Sequence, residues 1–398
     1  MTAPQPRLTI GYLSGALRVS TAVDAEASGP RSHVLGIIGA FRDLGCEVRT
    51  YIAGDRVPRR VATNSRGALS GSMAGALAAD LTRLALRRAN ARRAHRAIGD
   101  DVDWVYERFA SFQALGRPFQ RRGIPWVLET QGPFYEEAAR DRKSMVLTGI
   151  ARRLELDAYR RCDVLICVSD ALRQWLIADA RLPPDKVLVV PNGVDARAFD
   201  PAVHPARRSF DGFTIVYVGS LTGWQGVDLL LHAMHDLRDE VPAHLVVAGD
   251  GLVREAWQRL AADLGLAERV RFLGRLRHGD VAAVITGAEL GFAGHRPSRR
   301  GSVYHSPLKI YEYLAAGRPV LASASEDAVA VVREGETGFL FPAGDRPALA
   351  DALRRAWLRR GDLTAMGNCG REEVSAQHTW RTRAELIRDG VTRVLGRA

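Results

Sequence analysis

Short apolar runs separated by polar, glycine-containing turns recur along the whole chain, and they predict buried strands. Stretches between them carry apolar residues every three or four positions, the spacing of amphipathic helices. Because strand and helix alternate in both halves, we predict an α/β protein with two doubly wound, Rossmann-like parallel sheets. The predicted strands are 8–13, 47–52, 104–107, 126–129, 164–168, 187–190, 214–218, 244–248, 270–273, 289–292 and 320–322.

A boundary between the two halves is indicated where the periodicity stops. Residues 201–212 contain proline, histidine and arginine in no regular order, which is typical of a connection. With 398 residues the chain is long enough for two hydrophobic cores. We predict a first domain at 1–195, a linker at 196–212, a second domain at 213–375 and a C-terminal helix at 376–398.

Three further segments of the first half have distinct patterns. A single long helix is predicted at Glu136–Arg161. Residues 55–79 are rich in Arg, Gly, Ala and Ser and indicate a surface loop. The segment Leu81–Ile98 predicts a helix with a strongly basic polar side. Two interpretations of that helix stay open: contact with an anionic membrane surface, or a solvated helix that covers a sheet.

The segment from Ser306 to Ala322 predicts a helix, a turn and a strand. Ser306 is the predicted N-cap, Pro307 the first helical residue, and Gly317 the left-handed end. Lys309 and Glu312 then lie one turn apart at the helix start.

These groups suit a particular kind of ligand. Free first-turn amides and a lysine suit a diphosphate, and a carboxylate suits sugar hydroxyls. The alternative is an exposed Lys-Glu pair on an ordinary helix.

This segment resembles the signature of glycosyltransferase family 4, retaining nucleotide-sugar-dependent enzymes of the GT-B fold. In that fold the two Rossmann-like domains face each other across a cleft, and a C-terminal helix crosses back to the first. The chain departs from the signature at Tyr304, where the family usually has a second glutamate. The matching residues are Glu312, Ala315, Ala316, Gly317, Pro319 and Val320.

The resemblance implies a set of donor-binding residues, with Lys309 and Glu312 the candidates for catalysis. Ser220 and Gln225 stand where most relatives have arginine and lysine, so we expect Lys309, Arg275 or an arginine of the loop 294–300 to compensate. The implied donor-binding set is Gly29, Asn192, Gly193, Gly219, Ser220, Gln225, Arg275, Leu276, Leu308, Lys309 and Glu312.

Polar residues at the ends of the early strands are candidates for the acceptor side. Arg108 follows one strand, and Glu129 and Gln131 follow the next, at the sheet edge where α/β proteins bind ligands. His33 and Gly29 lie in a predicted loop before a helix that begins near residue 34. Helix capping and ion pairing are the alternative for Arg108, Glu129 and Gln131, and helix capping or packing is the alternative for His33.

Charge and cysteine content narrow the choice of partners. The net charge is +11, but the basic residues are scattered and no nucleic-acid motif is present, so we expect no nucleic-acid partner. No cysteine, histidine or acidic cluster has metal-ligand spacing, and we expect no metal and no cofactor. The four cysteines are predicted to be reduced and structural. The first residues contain no apolar signal region, which favours a cytoplasmic protein, with peripheral contact at the inner membrane face through 81–98 as an option.

The predicted function is transfer of a hexose from a UDP- or GDP-linked sugar to a hydroxyl acceptor with retention of configuration. The acceptor is a natural-product aminocyclitol or glycoside, or a polysaccharide or lipid-linked precursor; the sequence predicts no oligomeric state. A sugar-nucleotide epimerase or a phosphorylase of the same fold is the alternative. A dinucleotide-dependent oxidoreductase is disfavoured because the first strand is not followed by G-x-G-x-x-G.

Overall fold

The computed structural model describes residues 7–23, 25, 27–57, 73–140, 145–297 and 303–396. Within them, two parallel six-stranded sheets form the framework. This confirms the predicted class of two Rossmann-like sheets. Most strand residues are buried, which agrees with the continuous apolar runs of the sequence.

The first sheet has the strand order β2-β1-β3-β4-β5-β6. In the second strand of this order, Tyr12 pairs with Thr50 on one side and Tyr106 on the other. All pairings are parallel, so every strand of the sheet points its carboxyl end to the same edge. The strands are β1 (Thr9–Ser14), β2 (Glu47–Ile52), β3 (Trp104–Arg108), β4 (Trp126–Glu129), β5 (Val164–Cys167) and β6 (Val187–Val189).

Helices connect these strands, and two of them end at Ile98 and Arg161, as the sequence predicts. Ser169 caps α6, since its hydroxyl accepts from the Leu172 amide at 3.1 Å. The helices are α1 (Gly29–Asp43), α2 (Met73–Ile98), α3 (Arg117–Gln120), α4 (Phe134–Arg140), α5 (Thr148–Arg161) and α6 (Asp170–Ala180).

Three sequence predictions for this half are wrong in part. The predicted helix Glu136–Arg161 is two helices, α4 and α5, because residues 145–147 are not helical. The buried Glu155 carboxylate accepts from the amides of Phe134 and Tyr135 at 3.0 and 3.1 Å, and this tertiary contact ties α5 to the start of α4.

The other two differences concern where helices begin. Residues 73–79 are the first two turns of α2 rather than loop, while 58–72 lie outside the described residues. Helix α1 begins at Gly29 instead of near residue 34, so His33 is a helical residue. Alanine-rich and glycine-containing stretches carry no strong boundary signal, and packing decides where such helices begin.

The second sheet has the strand order β12-β11-β10-β7-β8-β9. Side chains alternate between its faces: Ile215 and Tyr217 join one core cluster, and Val216 joins the other. The strands are β7 (Thr214–Val218), β8 (His244–Ala248), β9 (Val270–Gly274), β10 (Leu290–Ala293), β11 (Val320–Ala324) and β12 (Gly338–Pro342).

Helices cover both faces of this sheet. One of them, α13, is a helix that the sequence analysis did not identify. The helices are α7 (Val227–Asp236), α8 (Arg254–Asp263), α9 (His278–Thr286), α10 (Leu308–Ala315), α11 (Glu326–Val331), α12 (Arg346–Leu358) and α13 (Leu363–Gln377). The last helix of the chain is α14 (Trp380–Val394).

The chain separates into two compact units. One contains Met1–Val23, His33–Pro191 and Arg383–Ala398, and the other contains Asp24–Ser32 and Asn192–Thr382. The chain therefore ends in the first unit, as the predicted fold class requires. None of the helices in the described part of the chain combines the length and apolar content needed to cross a bilayer.

Candidate functional site

Helix α10 carries the signature residues, and its start is held by a buried network. The predicted N-cap is wrong: Pro307 occupies that position, and no side chain caps the helix. The Ser306 hydroxyl instead accepts from the Asn192 amide at 2.9 Å and donates to the Asp327 carboxylate at 3.0 Å. Ser306 does not cap the helix because its hydroxyl is hydrogen-bonded to these two distant residues instead.

The other end of the signature is as predicted. Gly317 follows α10 with a φ of +67°, in the left-handed region that glycine adopts without strain. Strand β11 then begins at Val320. Helix α13, absent from the sequence analysis, secures this end because Arg371 donates to the Ala315 carbonyl at 2.7 Å.

Lys309 lies in the first turn of α10 and is buried, with only 8% of its surface exposed. Its ammonium donates to the Gln225 side-chain oxygen and lies 4.3 Å from the centre of the Tyr217 ring. A Cβ placed on Gly219 would lie 3.5 Å from the Lys309 Nζ. The structure thus brings together Lys309, Gln225 and Gly219, three residues of the predicted donor set.

Glu312 lies one turn further along α10 and interacts electrostatically with Lys309. Burial raises the pKa of Glu312 to about 7, and the lysine partly opposes that shift. Burial likewise lowers the pKa of Lys309 to about 7, and the glutamate partly opposes it. Both groups therefore titrate near neutral pH, where a bound anion would favour the charged lysine.

This titration predicts a pH dependence of diphosphate binding. Above pH 7 the free protein holds Lys309 mainly neutral, and an anion restores its pKa toward the usual value, so binding takes up a proton. We expect affinity for a nucleoside diphosphate to fall by up to about tenfold per unit as pH rises above 7. Calorimetry at pH 8 in buffers of different ionisation enthalpy measures the uptake. Lys309→Arg is the control, because arginine stays charged and takes up no proton; absence of uptake by the unchanged protein would contradict the prediction.

The turn after β7 is shaped by a close backbone approach. Gly219 and Gly249 follow neighbouring strands with φ of +148° and +144°, and a Cβ on Gly249 would lie 1.8 Å from the Gly219 carbonyl oxygen. The Tyr217 hydroxyl donates to the Ser220 carbonyl at 2.7 Å, while the Ser220 side chain is exposed. Glycines at both positions let the turn sit beside Lys309.

The expected replacements for the missing cations differ in their surroundings. Lys309 contacts Gln225 directly. Arg275 donates to Asp250 at 3.2 Å, and Arg296 donates to Asp228 at 2.7 Å. Arg299 and Arg300, also in that loop, lie outside the described residues. The side chain of Lys309 therefore contacts the donor turn at Gln225, whereas those of Arg275 and Arg296 pair with aspartates.

The remaining residues of the predicted donor set lie in the same compact unit as Lys309. A Cβ on Gly29 would lie 3.3 Å from the Leu308 side chain. Asn192 donates its side-chain amide to the Ser306 carbonyl at 2.6 Å, and Gly193 follows it as a buried residue. Leu276 packs against the core cluster beside α10.

An aromatic stack next to Gln225 was missed by the sequence analysis. The Trp224 ring stacks on His305 at 4.7 Å and on His295 at 5.3 Å between ring centres. Tyr304, at the departure from the signature, packs 4.3 Å from His305. Burial, together with the nearby Lys309 and His305, holds the pKa of His295 well below its usual range. The spacing of these residues carries no helical or strand period, so only the fold brings them together.

The predicted acceptor-side residues converge in the first unit. His33 Nε2 lies 2.6 Å from Glu129 Oε1, and Gln131 donates to the same oxygen at 2.5 Å. Arg108 is buried close by and lowers the pKa of Glu129 through its charge.

The charge state of this cluster follows from two opposing effects. Burial raises the pKa of Glu129, but His33, Arg108 and the hydrogen bonds together leave it below its usual value. Glu129 is therefore a carboxylate at neutral pH. Within the described residues, Arg108 Nε and the buried Ser14 hydroxyl have no hydrogen-bond partner, so they are available to a polar ligand.

Among the residues that the structure describes, no group of three or more histidine, cysteine or acidic side chains is placed to hold a metal ion.

Two family patterns match the chain. Residues 27–198 match "Glycosyltransferase Family 4", and residues 212–358 match "Glycosyl transferases group 1". The two matches cover the residues of both candidate clusters.

Curated relatives and solved structures agree with these matches. A GDP-mannose-dependent α-(1-6)-phosphatidylinositol monomannoside mannosyltransferase of Mycolicibacterium smegmatis is 30% identical over 312 residues, which are 75% of this chain and 79% of that protein. Its counterpart in Mycobacterium tuberculosis is 32% identical over 235 residues, 57% of this chain and 61% of the relative. The chain thus spans about three fifths of the length of several relatives that it matches.

The fold likeness extends over the whole chain. Sucrose-phosphate synthase from Thermosynechococcus elongatus superposes with a TM-score of 0.70 at 18% identity, covering 98% of this chain and 100% of that one. Such a likeness shows the fold. Together with the family patterns and the mycobacterial relative, it shows that this chain belongs to glycosyltransferase family 4.

Proposed function

We propose that this protein transfers a hexose from a nucleoside-diphosphate sugar to a hydroxyl acceptor, with retention of configuration and without a metal. The observation that carries the proposal is Lys309, a buried ammonium placed between Gln225 and the glycine turn at Gly219. A buried ammonium is costly even with Glu312 nearby, and a diphosphate would supply further counter-charge. In this role the second domain, 213–375, binds the donor.

The residues around Lys309 have complementary roles in the proposal. The free first-turn amides of α10 donate hydrogen bonds to the diphosphate from the positive end of the helix dipole. Glu312 accepts hydrogen bonds from the ribose hydroxyls. Stabilising the charge that develops on the leaving diphosphate is the main contribution to rate. As the family implies, the acceptor attacks on the face that the nucleotide leaves, and a phosphate oxygen serves as base.

The first domain, 1–195, is the proposed acceptor side. His33, Glu129 and Gln131 form a hydrogen-bonded cluster, and Arg108 lies beside it. A carboxylate, an imidazole and an amide orient hydroxyl groups well. We propose a GDP- or UDP-linked donor, with GDP tested first because the mycobacterial relatives are named for GDP-mannose.

Those relatives are also named for a phosphatidylinositol-based acceptor, so a lipid-linked acceptor is the first to test and a soluble aminocyclitol the second. A lipid acceptor fits peripheral contact with an anionic membrane through residues 81–98. Arg88, Arg92, Arg93 and Arg96 are exposed on that part of α2.

Calorimetric titration with UDP, GDP, dTDP and ADP, without added metal, tests donor binding. We expect one nucleotide to bind clearly and its binding to be lost in Lys309→Ala; binding of none would refute the donor site.

A second assay separates transfer from the alternative activities. The sugar nucleotide of the bound base is incubated with and without acceptor. Release of nucleoside diphosphate only with acceptor, and an unchanged anomeric configuration by NMR, identify a retaining transferase. An epimerase would convert the sugar nucleotide without any acceptor, and a phosphorylase would require phosphate.

A further inference from the structure

A groove lined by arginines lies in the first unit, between α2, α3 and α5. Its volume is about 560 Å³, within the range of small-molecule sites. One acidic residue, Asp157, is among the residues that line it. The arginines come from all three helices and the residue after α3: Arg87, Arg88, Arg92, Arg117, Arg121 and Arg161.

The groove lies at the opposite sheet edge from the acceptor-side cluster. It is lined by Trp126, the first residue of β4, whereas Glu129 of the cluster is the last residue of that strand. Trp126 and Glu129 lie about 10 Å apart along the strand, at 3.3 Å per residue. The groove has no residue in common with the acceptor-side cluster, and it shares Arg88 and Arg92 with the basic part of α2.

Buried interactions hold the residues next to the groove. The Glu107 carboxylate accepts from the amides of Leu115 and Gly116 at 2.9 and 2.8 Å. A Cβ on Gly116 would lie 2.0 Å from the Trp126 ring. These contacts fix the turn that leads into α3, and with it the position of Arg117.

The arginines are crowded and poorly neutralised. Asp157 is paired with Arg161 at 2.6 Å. Within the described chain, Arg88, Arg92 and Arg121 have no carboxylate within 4.0 Å. Burial lowers the pKa of Arg87, and burial with repulsion from Arg161 and Arg121 lowers that of Arg117. An anion in the groove would relieve this repulsion.

The arrangement favours a phosphate-bearing ligand. Guanidinium groups bind phosphate oxygens through paired hydrogen bonds. Three of the four residues of α2 that line the groove are arginines, and the fourth is Ala91. We propose that this groove binds a ligand carrying two or more phosphate groups, either a soluble polyphosphate or a phosphorylated lipid headgroup.

Titration with inorganic tripolyphosphate at low salt tests the proposal. The Lys309→Met variant is used as the parent protein, so that the donor site does not contribute. We expect one saturable site, with affinity reduced at least tenfold by Arg88→Glu and by Arg121→Glu. Arg153→Glu is the matched control, because Arg153 is an exposed arginine of α5 outside the groove. Circular dichroism checks that each variant is folded.

Vesicle sedimentation identifies the source of the phosphate. Phosphatidylcholine vesicles with a phosphoinositide are compared with phosphatidylcholine alone. Binding that tripolyphosphate displaces, and that both groove variants lose, supports a lipid headgroup. Tripolyphosphate binding without vesicle binding supports a soluble ligand.

Three results would overturn the proposal. They are absence of saturable tripolyphosphate binding, an equal loss in Arg153→Glu, and tighter binding of duplex DNA through the same arginines.

Discussion

Replacing Lys309 by methionine is expected to weaken nucleoside-diphosphate binding by about ten- to a hundredfold while leaving the melting temperature unchanged or higher. The loss of affinity follows because charge-assisted bonds to a buried diphosphate disappear. Stability should not fall, because burial disfavours the charged form of this lysine, as its lowered pKa indicates. Any gain in the stability of the Lys309→Met variant over the unchanged protein should be largest below pH 7. There Lys309 is protonated in the folded protein, and burial of its charge opposes folding.

Calorimetry and thermal unfolding at pH 6 measure both quantities on the same samples. Lys186→Met is the matched control, since the Lys186 ammonium donates to the Arg160 carbonyl at 2.7 Å, in the first unit. It should bind donor normally. A lower melting temperature with unchanged affinity would make Lys309 a structural residue and remove it from the proposed site.

Replacing Gly249 by alanine is expected to lower the free energy of unfolding by about 3 kcal/mol or more. The new Cβ would lie 1.8 Å from the Gly219 carbonyl oxygen, at a φ of +144° that side chains rarely adopt. This steric clash can be relieved only if Gly219 moves. Because Gly219 lies beside Lys309, the affinity for the donor should fall as well. A decrease of roughly 6 to 12 °C in the melting temperature corresponds to this loss.

Gly223→Ala provides the control, because it lies in the same turn as Gly219 and a Cβ there meets nothing within 4 Å. Its stability should change by less than about 0.5 kcal/mol. Chemical denaturation of both variants gives the comparison. If Gly249→Ala is as stable as Gly223→Ala, the backbone approach does not constrain the turn.

Much of the fold was predictable because its signals are local. Apolar runs and glycine turns mark the strands, and Lys309 and Glu312 are neighbours on α10 because helix geometry places residues three apart together. The boundaries that failed depend on contacts between distant residues. Glu155 binds the start of α4 across 20 residues, and no local pattern announces such a bond.

The candidate site shows the same division. His33, Glu129 and Gln131 were chosen separately from strand ends and a turn, and the parallel sheet brings them together. Trp224, His295 and His305 were missed because they come from two separate loops. Their roles and those of the donor residues stay predictions until the experiments above are done.

By itself the sequence determined the fold class, the family resemblance and the placement of a lysine and a glutamate on one helix, since each depends on short-range periodicity and residue type. Only the tertiary structure decided which groups surround them. Ser306 illustrates the reason: its hydroxyl has a local partner as a cap and distant partners in Asn192 and Asp327. Packing selects the distant ones because they satisfy buried polar groups that would otherwise lose hydrogen bonds.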